Sequence, residues 1–92
     1  MVEQRVVVTN RLGLHARAAA QLVRMANSFQ SMVRLERVDG SAAADAKSIL
    51  SVLMLAASRG TELRLSAEGA DEREAASALS QLFMSGFGEL ET

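Results

Sequence analysis

The spacing of apolar residues switches between every second residue and every third or fourth several times within 92 residues. A chain that does this must pair strands with helices over one shared core. Residues 2–9 place Val2, Val6 and Val8 on one side and Glu3, Arg5 and Thr9 on the other, which predicts a half-buried strand. Residues 10–14 break the pattern as a loop. From His15 onward, Ala19, Leu22, Val23 and Ala26 share one helical face, with Arg17, Gln21 and Arg24 elsewhere. Residues 32–38 alternate again, and Asp39-Gly40 marks a hairpin because both residue types tolerate positive φ. A short, weak strand over 41–44 follows. The spacing predicts a second helix over 46–58, stopped by Gly60, and a strand over 61–67 carrying Leu63, Leu65 and Ala67. After a turn at Gly69, Asp71 and Glu74 resemble a capping box that opens a third helix with a stripe of Ala75, Ala78, Leu79 and Leu82. The order β-α-β-β-α-β-α predicts an α+β open-faced β-sandwich, a four-stranded, mainly antiparallel sheet covered on one face by three helices. The pattern leaves the strand order open.

No linker, repeat or low-complexity tract divides the chain, so residues 1–92 are expected to form a single domain. Three Phe and no Trp or Tyr mean that the core is built from Ala, Val, Leu, Ile and Met, and the five methionines read as core filler. A net charge of -1 supplies no basic footprint for nucleic acid and no polycationic face for membranes. The shortage of aromatics removes the stacking platform of single-strand binders. Without cysteine there is no disulfide or thiolate chemistry, and one histidine argues against a transition-metal site. No signal-peptide pattern opens the sequence, and its longest apolar stretch, over 52–57, is too short to span a bilayer. The expectation is a cytoplasmic protein with no membrane insertion.

The chemistry gathers at His15. A solitary histidine near a helix start is commonly a surface or capping residue. Here, however, it follows a Gly13-Leu14 turn and directly precedes the first helical turn, where free backbone N–H groups and the positive end of the helix dipole attract anions. Arg17 adds a guanidinium that can fork onto phosphate oxygens. Neutral imidazole is nucleophilic near pH 7, and an N–P bond is reactive enough to hand its phosphoryl group onward. The start of this helix, Ala16, Arg17 and Ala18, would stabilise the charge on that group. There is no Gly-rich phosphate loop, acidic metal pair or catalytic triad. A site that can receive and donate phosphate without binding a nucleotide is a carrier, not a self-sufficient enzyme, and needs no cofactor.

The segment Thr9-Asn10-Arg11-Leu12-Gly13-Leu14-His15-Ala16-Arg17-Ala18-Ala19 resembles the active-site signature of the HPr family, the histidine-containing phosphocarriers of the bacterial phosphoenolpyruvate phosphotransferase system. Ala46-Lys47-Ser48-Ile49-Leu50 is similar to the family's second-helix signature, and the strand and turn from Gly60 to Gly69 are a third likeness. Thr9-Asn10-Arg11-Leu12-Gly13 and Leu82-Phe83-Met84-Ser85-Gly86-Phe87 look more like the nitrogen-related NPr branch than the sugar-transport branch. The resemblance implies phosphorylation of His15 at Nδ1 by an enzyme I charged from phosphoenolpyruvate, with Arg17 stabilising the phosphate. Transfer to an enzyme IIA domain would follow, in nitrogen-related regulation or sugar transport. The family usually has proline where this chain has Ala18. Proline pre-sets φ in a first turn, so the expectation is a helix starting in the same place with a slightly looser entrance.

Ser48 has two readings. Its hydroxyl can cap the second helix, or, as the resemblance implies, it can be a regulatory phosphorylation site for an HPr kinase/phosphorylase. Phosphate there would place about two negative charges beside the docking surface. Ile49, Leu50, Val52, Leu53, Met54 and Leu55 cover too much of the circumference for a one-sided helix. Either this helix is deeply buried, or Val52, Leu53 and Ala56 face the core while Ile49 and Leu50 join a docking patch. Ala16, Ala20, Gln21 and Arg24 would complete that patch beside His15. Asp71, Glu72 and Glu74 read as a solvated helix start. The rival to a phosphocarrier is a regulatory binding protein of the same fold acting through protein contacts, against which the presence of His15 counts. An unrelated interaction module with a chance His-x-Arg is a remote third. A shuttle of this kind is expected to be a monomer.

Overall fold

The computed structural model describes residues 1–89, so the last three residues of the expected 1–92 unit lie outside the described residues. The elements follow the expected order: β1 (Val2–Val7), α1 (Ala16–Asn27), β2 (Met32–Arg37), β3 (Ala43–Asp45), α2 (Ile49–Leu53), β4 (Glu62–Glu68) and α3 (Glu72–Met84). A single 3-10 turn, Gly86–Gly88, comes last among them. The four strands form one sheet in the order β1-β4-β2-β3, every pairing antiparallel. β4 is held on both sides, with Leu65 opposite Gln4 of β1 and Leu35 of β2.

Period-two alternation sends Val6, Val33, Leu35, Leu63, Leu65 and Ala67 to one buried face. The other face keeps its charges in water, where Arg64 pairs with Glu36 at 3.2 Å and Arg5 with Glu62 at 3.5 Å. α3 packs on β1 and β4, and α1 packs against α2 and α3. Ala18, Ala19 and Ala26 of α1 and Ala75 and Ala76 of α3 are buried, small enough for close approach of the helices. Phe83 and Phe87, both fully buried, meet edge to face with ring centroids 5.1 Å apart.

Several local expectations are corrected. The second helix is five residues long, not thirteen. Ala46, expected to open it, is buried, and its N–H donates to Val33 O at 3.0 Å, extending the β3 edge. Asp45 then makes a turn by accepting from Lys47 N through Oδ1 at 2.9 Å and from Ser48 N through its carbonyl at 3.0 Å. At the far end Ala56, at φ 50°, leaves the helical region and is exposed, while Leu55 and Ala57 fill the core from irregular backbone. An apolar run carries no record of whether it coils or merely plugs. In α3 the buried stripe is Ala75, Ala76, Leu79, Ser80 and Phe83, with Ala78 and Leu82 only half-buried.

The capping box does not form. Asp71 is the N-cap residue of α3 but makes no side-chain cap bond. Its carboxylate accepts from Gln30 N and Ser31 N, each at 2.9 Å, and from Ser31 Oγ at 2.5 Å, clamping the link between α1 and β2. Those hydrogen bonds, led by the Ser31 hydroxyl, hold its carboxyl below the usual range. In the hairpin only Gly40 takes positive φ, and Asp39 acts through its side chain, accepting from Ser41 N at 2.9 Å. The methionines are not core filler: Met1, Met32, Met54 and Met84 are exposed and Met25 is half-buried.

Candidate functional site

The loop before α1 is built to deliver one side chain. Gly13 sits at φ +69°, where glycine alone is comfortable. A Cβ there would lie 2.7 Å from Ala57 O, so the loop after α2 presses directly on it. Leu14 N donates to Ala57 O at 2.9 Å, and the Leu14 side chain is buried. Behind the turn, Asn10 is 1% exposed and its Nδ2 donates to Gly13 O at 2.8 Å. The chain therefore reaches α1 pinned on both sides.

His15 is the N-cap of α1, with extended backbone (φ -74°, ψ 179°). Its carbonyl accepts the first helical bond, from Ala19 N at 2.8 Å. Its imidazole takes the place of the usual Ser or Asp side chain, with Nδ1 accepting from Arg17 N at 3.2 Å. Across the ring, Nε2 lies 2.8 Å and 2.7 Å from Oε1 and Oε2 of Glu89. An amide N–H only donates and a carboxylate only accepts, so the two contacts select the neutral tautomer with its hydrogen on Nε2 and its lone pair on Nδ1. Glu89 is held in place by Asn10 Nδ2, which donates to Oε1 at 3.1 Å. The His15 hydrogen bond, with help from Asn10 and the charge of Arg17, keeps the Glu89 carboxyl below its ordinary range against the opposing pull of burial.

Arg11, Leu12, His15, Ala16, Arg17 and Glu89 line one solvent-open hollow. Ala16 and Arg17 are exposed there, whereas Ala18 is fully buried under the first turn. The helix starts at Ala16, directly after the histidine, as expected. α1 carries no acidic residue in its first turn, so nothing on the helix itself neutralises the positive end of its dipole.

The other expected residues lie further along. Asn27 Nδ2, at the end of α1, donates to Lys47 O at 3.2 Å, whereas Leu14, just before α1, bonds Ala57 beyond α2. The two helices are thus antiparallel, and the start of α2 lies beside the end of α1, about 18 Å from its beginning. Ser48 is half-buried and caps α2, its Oγ accepting from Ser51 N at 3.4 Å. Ile49 and Leu50 are exposed, as is Met54 nearer the His15 end. The deeply buried second helix is therefore excluded. Ala20 is half-buried and Arg24 exposed. Gln21 is engaged within the molecule, its Nε2 donating to Phe87 O at 3.2 Å.

Sequence reasoning missed Asn10 and Glu89. Asn10 stands only five residues before His15, and a polar residue beginning a strand-to-helix loop was a usable signal. Glu89 is 74 residues from its partner, and no local pattern points to it. Among the described residues no cluster of His, Cys, Asp or Glu could hold a metal, and no helix is long and apolar enough to cross a membrane.

Residues 2–85 match the family model described as the PTS HPr component phosphorylation site. The phosphocarrier protein HPr of Xylella fastidiosa is 47% identical over 89 residues, 97% of this chain and 98% of that protein. The phosphocarrier protein NPr of Proteus mirabilis is 44% identical over 86 residues, 94% of each chain. The crystal structure of an HPr from Thermoanaerobacter tengcongensis superposes with a TM-score of 0.92 at 42% identity, over 99% of this chain and all of the other. The open sheet and the histidine-capped first helix thus come with a full-length likeness in both sequence and structure, and the chain belongs to the HPr family of phosphotransferase-system phosphocarriers.

Proposed function

We propose that the protein takes a phosphoryl group onto Nδ1 of His15 from an enzyme I charged by phosphoenolpyruvate and passes it to an enzyme IIA domain. The observation that carries this reading is the placement of His15 as the cap of α1, its Nδ1 lone pair turned toward the Arg17 amide in a hollow open to solvent. The bond to that amide is long, at 3.2 Å, and gives way readily to an incoming phosphorus. Once displaced, the Arg17 N–H is available to a phosphoryl oxygen. The amides of Ala16, Arg17 and Ala18 and the Arg17 guanidinium then bear the negative charge. The donor and acceptor proteins supply the remaining parts of the reaction, so this chain is a transferase component with no cofactor or metal of its own.

Partners dock on the face that carries Ala16, Ala20, Arg24, Ile49 and Leu50, with the rim of Gln21. Apolar contacts edged by Arg17 and Arg24 suit short-lived, electrostatically guided complexes. Residues 1–92 act as one domain, monomeric in the cytoplasm, without nucleic-acid binding or membrane insertion. The likeness to both HPr and NPr proteins supports service in either sugar transport or nitrogen-related regulation. Size-exclusion chromatography tests the monomer.

Incubation with enzyme I and phosphoenolpyruvate, followed by intact mass and acid treatment, tests the carrier. The expected result is one acid-labile phosphate on the wild type and none on His15→Ala. An unlabelled wild type beside a competent enzyme I overturns the reading. A second role, control through Ser48 by an HPr kinase/phosphorylase, is favoured by the exposure of Ile49 and Leu50 just after it, where added charge would disturb docking. Incubation with that kinase and ATP decides it: phosphate lost in Ser48→Ala supports the site, and an unmodified wild type removes it.

A further inference from the structure

Resting on the phosphocarrier reading, we propose that Arg37 is a positioning residue for the phosphoryl transfer, holding residues 55–57 in the shape that meets the Gly13-Leu14 turn. Arg37 closes β2, and alternation puts it on the same side as the buried Val33 and Leu35, where an apolar residue is the ordinary occupant. Its side chain is instead a guanidinium, 24% exposed, that reaches the end of α2. Nη1 donates to Leu55 O at 3.0 Å and to Ala56 O at 3.4 Å. Nε lies 3.5 Å from Asp39 Oδ2. That carboxylate is itself fixed by Ser41, whose hydroxyl and N–H donate to Oδ1 at 2.6 Å and 2.9 Å. Those hydrogen bonds, the hydroxyl first, and the Arg37 charge hold the Asp39 carboxyl below its usual range.

Ala56 sits at φ 50°, a left-handed conformation that a residue with a Cβ adopts only at a cost. The two carbonyls bonded to Nη1 belong to the peptide planes on either side of Ala56, so one nitrogen fixes both of its backbone torsions. Without the guanidinium, the turn is free to relax toward the right-handed region, which swings the carbonyl that follows. That carbonyl is Ala57 O, which accepts from Leu14 N at 2.9 Å and would lie 2.7 Å from a Cβ on Gly13. It therefore meets both residues that immediately precede His15. At its other end the segment is tied to the chain just after β1, where Gly60 N donates to Val8 O at 2.7 Å. The result is a bracket, held by Arg37 at one end and by Val8 at the other, with its middle on the loop that delivers the histidine. A small misplacement of a nucleophile costs rate even when its own chemistry is intact. Arg37 is not among the docking residues, so its loss should slow transfer within the complex and spare the encounter.

The test measures phosphoryl acceptance from charged enzyme I at varied carrier concentration, beside amide hydrogen exchange of the free carrier. Arg37→Ala is expected to lower kcat about tenfold and to leave KM within about twofold of wild type. The Leu14 amide should exchange about tenfold faster, beyond any change at Leu65, whose place between two strands makes it report global unfolding. Arg37→Met keeps the stem of the side chain, removes only the donors, and should match Arg37→Ala in both readouts. An unchanged kcat, a loss confined to KM, or Leu14 exchange that rises no more than that of Leu65 overturns the proposal. So does failure of both variants to fold, since the arginine would then hold the fold and not the loop. A wild type that takes no phosphate at all brings down the carrier reading instead, and the exchange data still report whether Arg37 holds the loop.

Discussion

The starts of α1 and α3 are the same structural device with opposite electrical fillings. α3 opens with Asp71 as its cap and Glu72 and Glu74 in its first turn, and Glu72 further accepts from Gly69 N at 3.1 Å and pairs with the Met1 amino group at 3.1 Å. Its positive end is answered by carboxylates of its own sequence. α1 opens with an imidazole cap, an arginine and no acid, and the anion it meets comes from Glu89, 74 residues away. A helix start neutralised by its own first turn is a finished piece of architecture. One neutralised by a distant side chain can change what it holds.

Breaking that contrast gives the largest effect. Ala16→Glu gives α1 the acidic first turn that α3 already has, and phosphoryl acceptance is expected to fall about a hundredfold. Stability should change by less than about 1 kcal/mol, because a carboxylate suits the dipole. Stopped-flow transfer rates and urea unfolding check both halves, and an unchanged rate would mean that the helix end does not hold the phosphate. Gly13→Ala is expected to cost about 2 kcal/mol of stability, since the new Cβ meets Ala57 O at a residue already at φ +69°. Arg17→Ala should slow transfer about tenfold with thermal stability nearly unchanged; equal rates would remove the guanidinium from the mechanism.

Asp71→Asn sharpens the other side of the comparison and should leave transfer untouched. The Asp71 carboxyl lies below its ordinary 3.8, so the stability it contributes is fully present above about that pH and is lost as pH falls through its lower folded value. Unfolding followed from pH 7 to pH 2 should show a shallower acid limb in the variant. The same slope in both proteins would mean that the clamp on Gln30 and Ser31 carries no net stability.

What could be read from the sequence was local. β1, β2, β4 and α1 follow from period alone, and His15, Arg17 and the helix start lie within four residues, so their chemistry was visible together. The errors came where tertiary partners decide. Ala46 reads as a good helix former yet pairs with Val33, and Asp71 sits at a capping position yet serves the 30–31 link. The methionines look like core by hydrophobicity, but alanines and two buried phenylalanines fill that space, leaving four thioethers on the surface. Glu89 belongs to the site only because the chain turns back after α3, which no spacing rule announces.

That turn is itself unusual. Gly86, Phe87 and Gly88 all take positive φ, at 63°, 58° and 73°, so the backbone briefly winds left-handed. Only the middle residue bears the steric cost of doing so, and its ring is buried as an anchor. The carboxylate thus rides on a braced arm whose last joint is a side chain. The buried Phe87 ring fixes the backbone that carries Glu89, so anything that displaces the carboxylate from His15 needs to turn only its side chain.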